Sequence, residues 1–119
     1  MNKTRRKETK LCVDELNRLI EFIRKEQEWN ADLYENYKSD IEIIKDHIEM
    51  LHDDEEFAFD SLPESLQYSS NGETMEECIE NYEEAISSLE NSCESMINGE
   101  IEEAIGLIED AITSLENIY

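Results

Sequence analysis

Beyond Lys45 the chain has no lysine or arginine. Residues 46–119 carry 22 Asp and Glu, so the whole formal net charge of −22 arises there, whereas residues 1–45 set ten acids against ten bases. A solvated helix surface ordinarily interleaves both signs, because Glu–Lys pairs one turn apart support it. A stretch without cations lacks that support and repels itself. Other scarcities exclude whole classes of protein. One Pro and three Gly among 119 residues leave little strand punctuation and predict an all-α chain. No apolar run nears the ~20 residues of a transmembrane helix, so no membrane partner is expected. Cys12, Cys78 and Cys93 form no Cys-x-x-Cys pair and read as reduced thiols packed as small hydrophobes. The basic start Lys3-Thr4-Arg5-Arg6-Lys7 is followed at once by acids that break any signal-peptide core. A cytoplasmic location is the expectation.

Catalytic signatures are equally sparse. The chain has no Gly-x-Ser-x-Gly elbow, no phosphate-cradling glycine loop and no calcium-binding Asp-x-Asp-x-Asp-Gly loop. Glu49-x-x-His52 has the spacing of a di-iron bundle, but no histidine follows His52 to complete a second such motif. No catalytic residue, metal site or cofactor is expected, and the chain reads as a non-enzyme. The cations between Lys3 and Lys10 fit a helix end paired with acids better than a nucleic-acid contact.

What is present is a long heptad pattern. Val13, Leu16, Ile20, Ile23, Gln27, Asn30, Tyr34, Tyr37, Ile41, Ile44, Ile48 and Leu51 alternate spacings of three and four, with polar residues only at Gln27 and Asn30. A second seam runs Met75, Ile79, Tyr82, Ile86, Leu89, Cys93, Ile97, Ile101, Ala104, Ile108, Ala111, Leu115 and Ile118, slipping once around Gly99. Between them, residues 57–72 hold Pro63 and the turn-forming Ser69-Ser70-Asn71-Gly72, yet also Phe57, Phe59, Leu62, Leu66 and Tyr68. These patterns predict one helical domain, 1–119, folded as an antiparallel coiled-coil hairpin. Its arms are a helix over 9–56 and a helical arm over 73–119, joined by a packed tip and self-associating into a homo-oligomer. Pairing Leu51 with Met75 sets Gln27 level with Gly99. The sequence Glu83-Glu84-Ala85-Ile86-Ser87-Ser88-Leu89-Glu90-Asn91 recurs as Glu109-Asp110-Ala111-Ile112-Thr113-Ser114-Leu115-Glu116-Asn117. That repeat leaves Asn98-Gly99 as either a slip or a turn. Turns near Asn30 and Asn98-Gly99 would instead give a compact four-helix bundle.

Off the second seam lie Glu76, Glu80, Glu83, Glu84, Glu90 and Glu94, an anionic face without a neighbouring cation. The 14 acids of residues 73–119 lie along a helix of about 70 Å, one per ~5 Å. A nucleic-acid strand carries one phosphate per ~3.4 Å. Such a face suits a basic protein surface that normally holds a polyanion. Glutamate is also simply a good, soluble helix former, which leaves open a structural adaptor whose acids only confer solubility. That adaptor would bind through apolar anchors, for which Trp29, Phe57 and Phe59 are the candidates.

The tip sequence Phe57-Ala58-Phe59-Asp60-Ser61-Leu62-Pro63-Glu64-Ser65-Leu66-Gln67, followed by Gly72-Glu73-Thr74-Met75-Glu76-Glu77, resembles small acidic helical proteins of Firmicutes phages and mobile elements. The resemblance covers some 25 residues. It implies a phage origin and a place in the host cytoplasm, and supplies no catalytic residue. Proteins of that kind include nucleic-acid-mimicking inhibitors of host CRISPR and restriction enzymes, and also assembly factors. The expected function is therefore an anti-defence binding protein, with a phage assembly adaptor as the alternative.

Overall fold

The computed structural model describes residues 2–118 and is all helical there: α1 Lys3–Lys25, α2 Ala31–Asp60, a single turn α3 Glu64–Gln67, α4 Ser70–Ile97 and α5 Ile101–Glu116. Met1 and Tyr119, the outer limits of the expected domain and of its second arm, lie outside the described residues. The all-α expectation holds, and the two arms do fold back on each other. Each arm is itself broken, so the chain takes the bundle form of that expectation.

The continuous helix over 9–56 is corrected at Glu26–Asn30. Gln27 and Asn30 are exposed connector residues and not a polar layer in a seam. Asn30 is the N-cap of α2: its side chain accepts a hydrogen bond from the Leu33 amide at 2.8 Å, and Asp32 follows in the first turn. Asn2 caps α1 in the same way through the Arg5 amide, while Arg24 and Lys25 lie in its last turn, where cations suit the helix dipole.

Asn98-Gly99 is a turn. The Glu100 amide donates to the Ser95 carbonyl and the Gly99 amide to the Met96 carbonyl, the paired bonds of a Schellman cap. Gly99 has φ +76°, a conformation costly for any residue with a Cβ. At the tip, α4 starts at Ser70, ahead of the expected Glu73. Ser69 caps it, and a Cβ on Gly72 would fall 2.2 Å from the Gln67 carbonyl oxygen. Glycine is what lets α3 close onto α4. The Gln67 amide group in turn donates to the Phe59 and Leu62 carbonyls, both at 3.2 Å, and so covers the frayed end of α2.

The four long helices form a ring in which α1 and α4 each pack against α2 and α5. Neighbours run antiparallel. Arg5 meets Glu55 across α1–α2, Lys38 meets Cys93 across α2–α4, and Ser114 meets Glu84 across α4–α5. Tyr34, not Gln27, lies against Gly99, so the two arms pair one heptad away from the expected register. A heptad shift keeps the same faces together, which is why the seams survive it. The result measures 56 × 21 × 18 Å along its principal axes.

All ten apolar positions of the first seam are buried or half-buried, and so are those of the second except Ile97. A four-helix core also needs a wider stripe than a coiled-coil seam. Cys12, Leu19, Cys78, Ala85, Met96, Ile105 and Ile112 supply that second buried column.

A polar cluster locks the tip-side end. Glu55 is fully buried, and the Arg5 Nε donates to it at 2.8 Å. Thr9 Oγ1 donates to the Arg5 carbonyl at 2.7 Å and shares a hydrogen bond with the Tyr82 hydroxyl, also 2.7 Å away. This bond joins α1 to α4 across the bundle. Burial, with the Glu55 charge adding to it, pushes the Tyr82 phenol up to about 12 against the opposing effects of Thr9 and Arg5. It therefore remains protonated throughout the neutral range. Removing one partner of a buried ion pair typically costs about 3–5 kcal/mol, whereas replacing both by apolar groups is often neutral. Arg5→Ala is accordingly expected to lower unfolding free energy by about 3–5 kcal/mol in urea titrations, and Arg5→Met with Glu55→Leu to recover most of it. A loss below about 1 kcal/mol for Arg5→Ala would show that the pair does not hold α1.

Candidate protein-binding surface

Charge is sorted by helix. Helix α1 carries eight bases and four acids, α2 two bases and eleven acids, α4 eight acids and α5 five acids, the last two without any base. Because α1 and α4 occupy opposite corners of the ring, the cationic helix stands diagonally across from α4, whose surface carries acids and no base.

Glu76, Glu80, Glu83, Glu84, Glu90 and Glu94 are all exposed on α4. By helical spacing they cover about a third of its circumference, opposite its buried residues. They are not one line. Glu76, Glu80 and Glu83 border the α2–α4 groove, where Glu56 and Asp60 face them across Phe59 and Ile79. Glu84 reaches toward α5 and accepts from the Ser114 hydroxyl at 3.4 Å. Glu94 adjoins Glu100 and Glu103 beside the α4–α5 turn. Glu103 titrates above its ordinary range because it shares a hydrogen bond with Glu100 and feels the charges of Glu100 and Glu94. The anionic surface is thus broader than the second arm. Glu56, Asp60, Glu100 and Glu103 join it through tertiary contacts that heptad spacing does not express.

The apolar anchors separate. Trp29 is half-buried against the core and stacks on Tyr34 with ring centroids 5.1 Å apart, closing the α1–α2 connection. Phe59 is half-buried in the α2–α4 groove. Phe57 projects into solvent, 75% exposed.

Two groups carry reactive side chains. Cys12 Sγ lies 3.4 Å from His47 Nδ1, a thiol–imidazole pairing. Burial, with Glu15 and Glu8 nearby, pushes that thiol up to about 12, the opposite of what an activated nucleophile needs. Burial likewise raises Cys93, to about 11. His52, Glu56 and Glu83 bring one donor atom each within 4.8 Å of one another, in an open position on α2 and α4. Three donors of this type could hold a divalent cation weakly, since a structural zinc site closes with four. Among the described residues no helix is long and apolar enough to cross a membrane.

Searches against protein-family models, curated proteins and solved structures gave no match. The surface therefore has to be interpreted from its own geometry.

His52 provides a check on that geometry. Partial burial disfavours its charged form, but hydrogen bonds to Asp53 and Glu83 and the charges of Glu56 and Glu83 outweigh this and raise its pKa. A folded pKa above the unfolded value of about 6.5 gives stabilisation fully present below about pH 6.5 and lost as pH rises through the folded value. The melting-temperature gap between wild type and His52→Gln should thus be wide at about pH 6 and close by about pH 9. An NMR titration midpoint for His52 at or below the ordinary histidine value would show that α4 does not bring Glu83 to it.

Proposed function

We propose that this protein is a binding protein whose anionic α4 face, continued by α5 and the end of α2, occupies a cationic groove that another protein uses to hold nucleic acid. The tip's resemblance to small acidic phage proteins, a group that includes inhibitors of host defence, supports a partner among host enzymes of the CRISPR or restriction class and equally leaves the assembly reading open. The observation that carries this reading is the exposure of all eight α4 acids, the six named above among them, on one of two adjacent helices that contain no cation.

The physics favours such use in two respects. Eight acids along a 28-residue helix give one charge per ~5 Å, approaching the ~3.4 Å phosphate spacing of a strand. The helix is also held by a packed core, so its charges are preorganised and little ordering cost is added on binding. Electrostatic steering between such a face and a basic groove speeds encounter and makes it salt-sensitive.

An adaptor reading draws on a different observation. Phe57, Leu66 and Tyr68 are exposed together around the tip, and exposed aromatic residues are common anchors of protein contacts. The two readings separate in one experiment. Host lysate is passed over immobilised wild type and over a variant with Glu76, Glu80, Glu83, Glu84, Glu90 and Glu94 changed to Gln. Helix propensity is nearly conserved in that variant and like-charge repulsion is relieved, so its circular dichroism and melting temperature should match wild type or exceed it slightly. The expected outcome is capture of a nucleic-acid-binding enzyme by wild type, its release by duplex DNA or moderate salt, and at least tenfold weaker capture by the variant. Retention of the same proteins by both forms through high salt would reject mimicry and move the contact to the tip.

A further inference from the structure

The outer face of the α1–α2 pair carries an apolar stripe that the bundle does not cover. Ile43, Met50 and Phe57 follow one another at heptad spacing on α2 and are 68%, 65% and 75% exposed, and Leu11 and Phe22 on α1 are 49% and 55% exposed. Phe22 and Ile43 flank a groove floored by Leu19 and Ile44, with Glu15, Arg18 and Asp40 beside it. This stripe lies on a different side of the ring from the anionic surface. It plays no part in the core, and soluble helices seldom leave so many large side chains in one patch.

We propose that this face is the contact between two copies of the chain, related by a twofold axis running along the α1–α2 groove. Charge selects the occupant. The α1 half of the face presents Lys7, Arg18 and Lys25 with one acid, Glu15, at the groove, and the α2 half presents Asp32, Asp40, Asp46, Asp53 and Asp54, all exposed, so the α1 half is net cationic and the α2 half anionic. A uniformly acidic or uniformly basic partner would be repelled by one half. A second copy rotated about the groove lays its α1 over the first copy's α2, and its α2 over the first copy's α1. That rotation preserves height along the bundle. Within one chain Arg5 stands level with Glu55 and Cys12 with His47, so across the axis Lys7 comes level with Asp54, Leu11 with Met50 and Lys25 with Asp32. An axis perpendicular to the helices would instead set α2 on α2, acid against acid.

Size and net charge agree with this occupant. A face about 35 Å long, from the 23 residues of α1, and about 20 Å wide offers roughly 700 Å² per copy, close to the ~800 Å² per partner of a stable interface. Helices α1 and α2 together carry a net charge of −5, against −13 for α4 and α5, so self-repulsion is least on this side. The proposal rests on residues separate from the α4 acids and is independent of what those acids bind.

Sedimentation velocity at tens of micromolar and about 150 mM salt tests it, with circular dichroism confirming the fold of each variant. Wild type should sediment at twice the 14.0 kDa monomer mass. Lys7→Glu with Lys25→Glu, and separately Asp32→Lys with Asp54→Lys, should each be monomeric, since each sets like charge on like charge at both ends of the face. Mixed in equal amounts, the two variants should recover the dimer mass, because each then meets its complement. Met50→Glu, at a position already exposed to solvent, should abolish the wild-type dimer without loss of helicity. A monomeric wild type would leave the face to a different protein and overturn the proposal. It would equally fail if the charge variants or Met50→Glu stayed dimeric, or if the mixture remained monomeric.

Discussion

Glu55 is buried where α1, α2 and α4 meet, and Arg5 is the cation that answers it. In a chain with ten cations for 32 acids that match constrains the whole arrangement. Among the described residues Glu55 is the one buried acid, and a carboxylate removed from water needs both a counter-charge and a hydrogen-bond donor. Helix α1 carries most of the available cations. Docking it on α2 fixes the register of the first pair, and the Thr9–Tyr82 bond then ties it across the bundle to α4. Once α1 occupies that corner, α4 at the opposite corner is left away from most of the cations, with Lys38 and Lys45 of α2 beside it near Cys93. The location of the anionic face thus follows from where the one buried acid is neutralised.

Helices α4 and α5 stay together despite carrying only acids because their stability is not electrostatic. Leu89, Met96, Ile105, Ile108 and Leu115 are buried, and Ala85, Ala104 and Ala111 allow close approach where a larger side chain would hold the helices apart. Exposed acids repel one another, but in physiological salt that repulsion fades beyond about 8 Å. Turn geometry does the rest. The Schellman cap at Gly99 and the Gly72 contact set the entry and exit of α4 through backbone hydrogen bonds and close approach, which charge does not disturb.

Most of the fold is legible along the chain, and its failures have physical causes. Buried seams were visible because heptad spacing reports which side of a helix meets apolar neighbours, whatever that helix pairs with. For the same reason spacing is blind to a break that preserves phase: Asn30 occupies a seam position and also caps α2, and the caps on both sides of Glu26–Asn30 end one helix and start the next without disturbing the pattern. It is equally blind to a shift of one heptad, which is how Tyr34 came to stand where Gln27 was expected. Of the second buried column, burial of Cys12 and Cys78 was legible from their residue type, and the rest was out of reach because two helices bury a narrow line and four bury a broad one. At the candidate surface, exposure of the six α4 acids followed directly from the seam they avoid. Glu56, Asp60, Glu100 and Glu103 did not, because their membership depends on which helices are neighbours. Trp29 and Phe57, alike in composition, part company only in three dimensions. One closes a connection and the other stands on an uncovered stripe.

The two proposed surfaces also have a geometric relation. On a dimer joined through α1 and α2, both α4–α5 pairs would point outward on opposite sides, the like-charged faces as far apart as the assembly permits. That arrangement would keep the strongest repulsion out of the interface and leave every α4 acid accessible. It would also make the assembly divalent toward a cationic groove. A divalent ligand gains avidity only where both of its sites can be reached at once. Two faces turned in opposite directions cannot enter one groove together. Each copy would therefore engage its own partner molecule, and the effect of dimerisation would be to bring two partner molecules into one assembly while leaving the affinity at each face unchanged. Binding strength would then depend on the charge array of a single α4 face, and stoichiometry on the apolar stripe of α1 and α2.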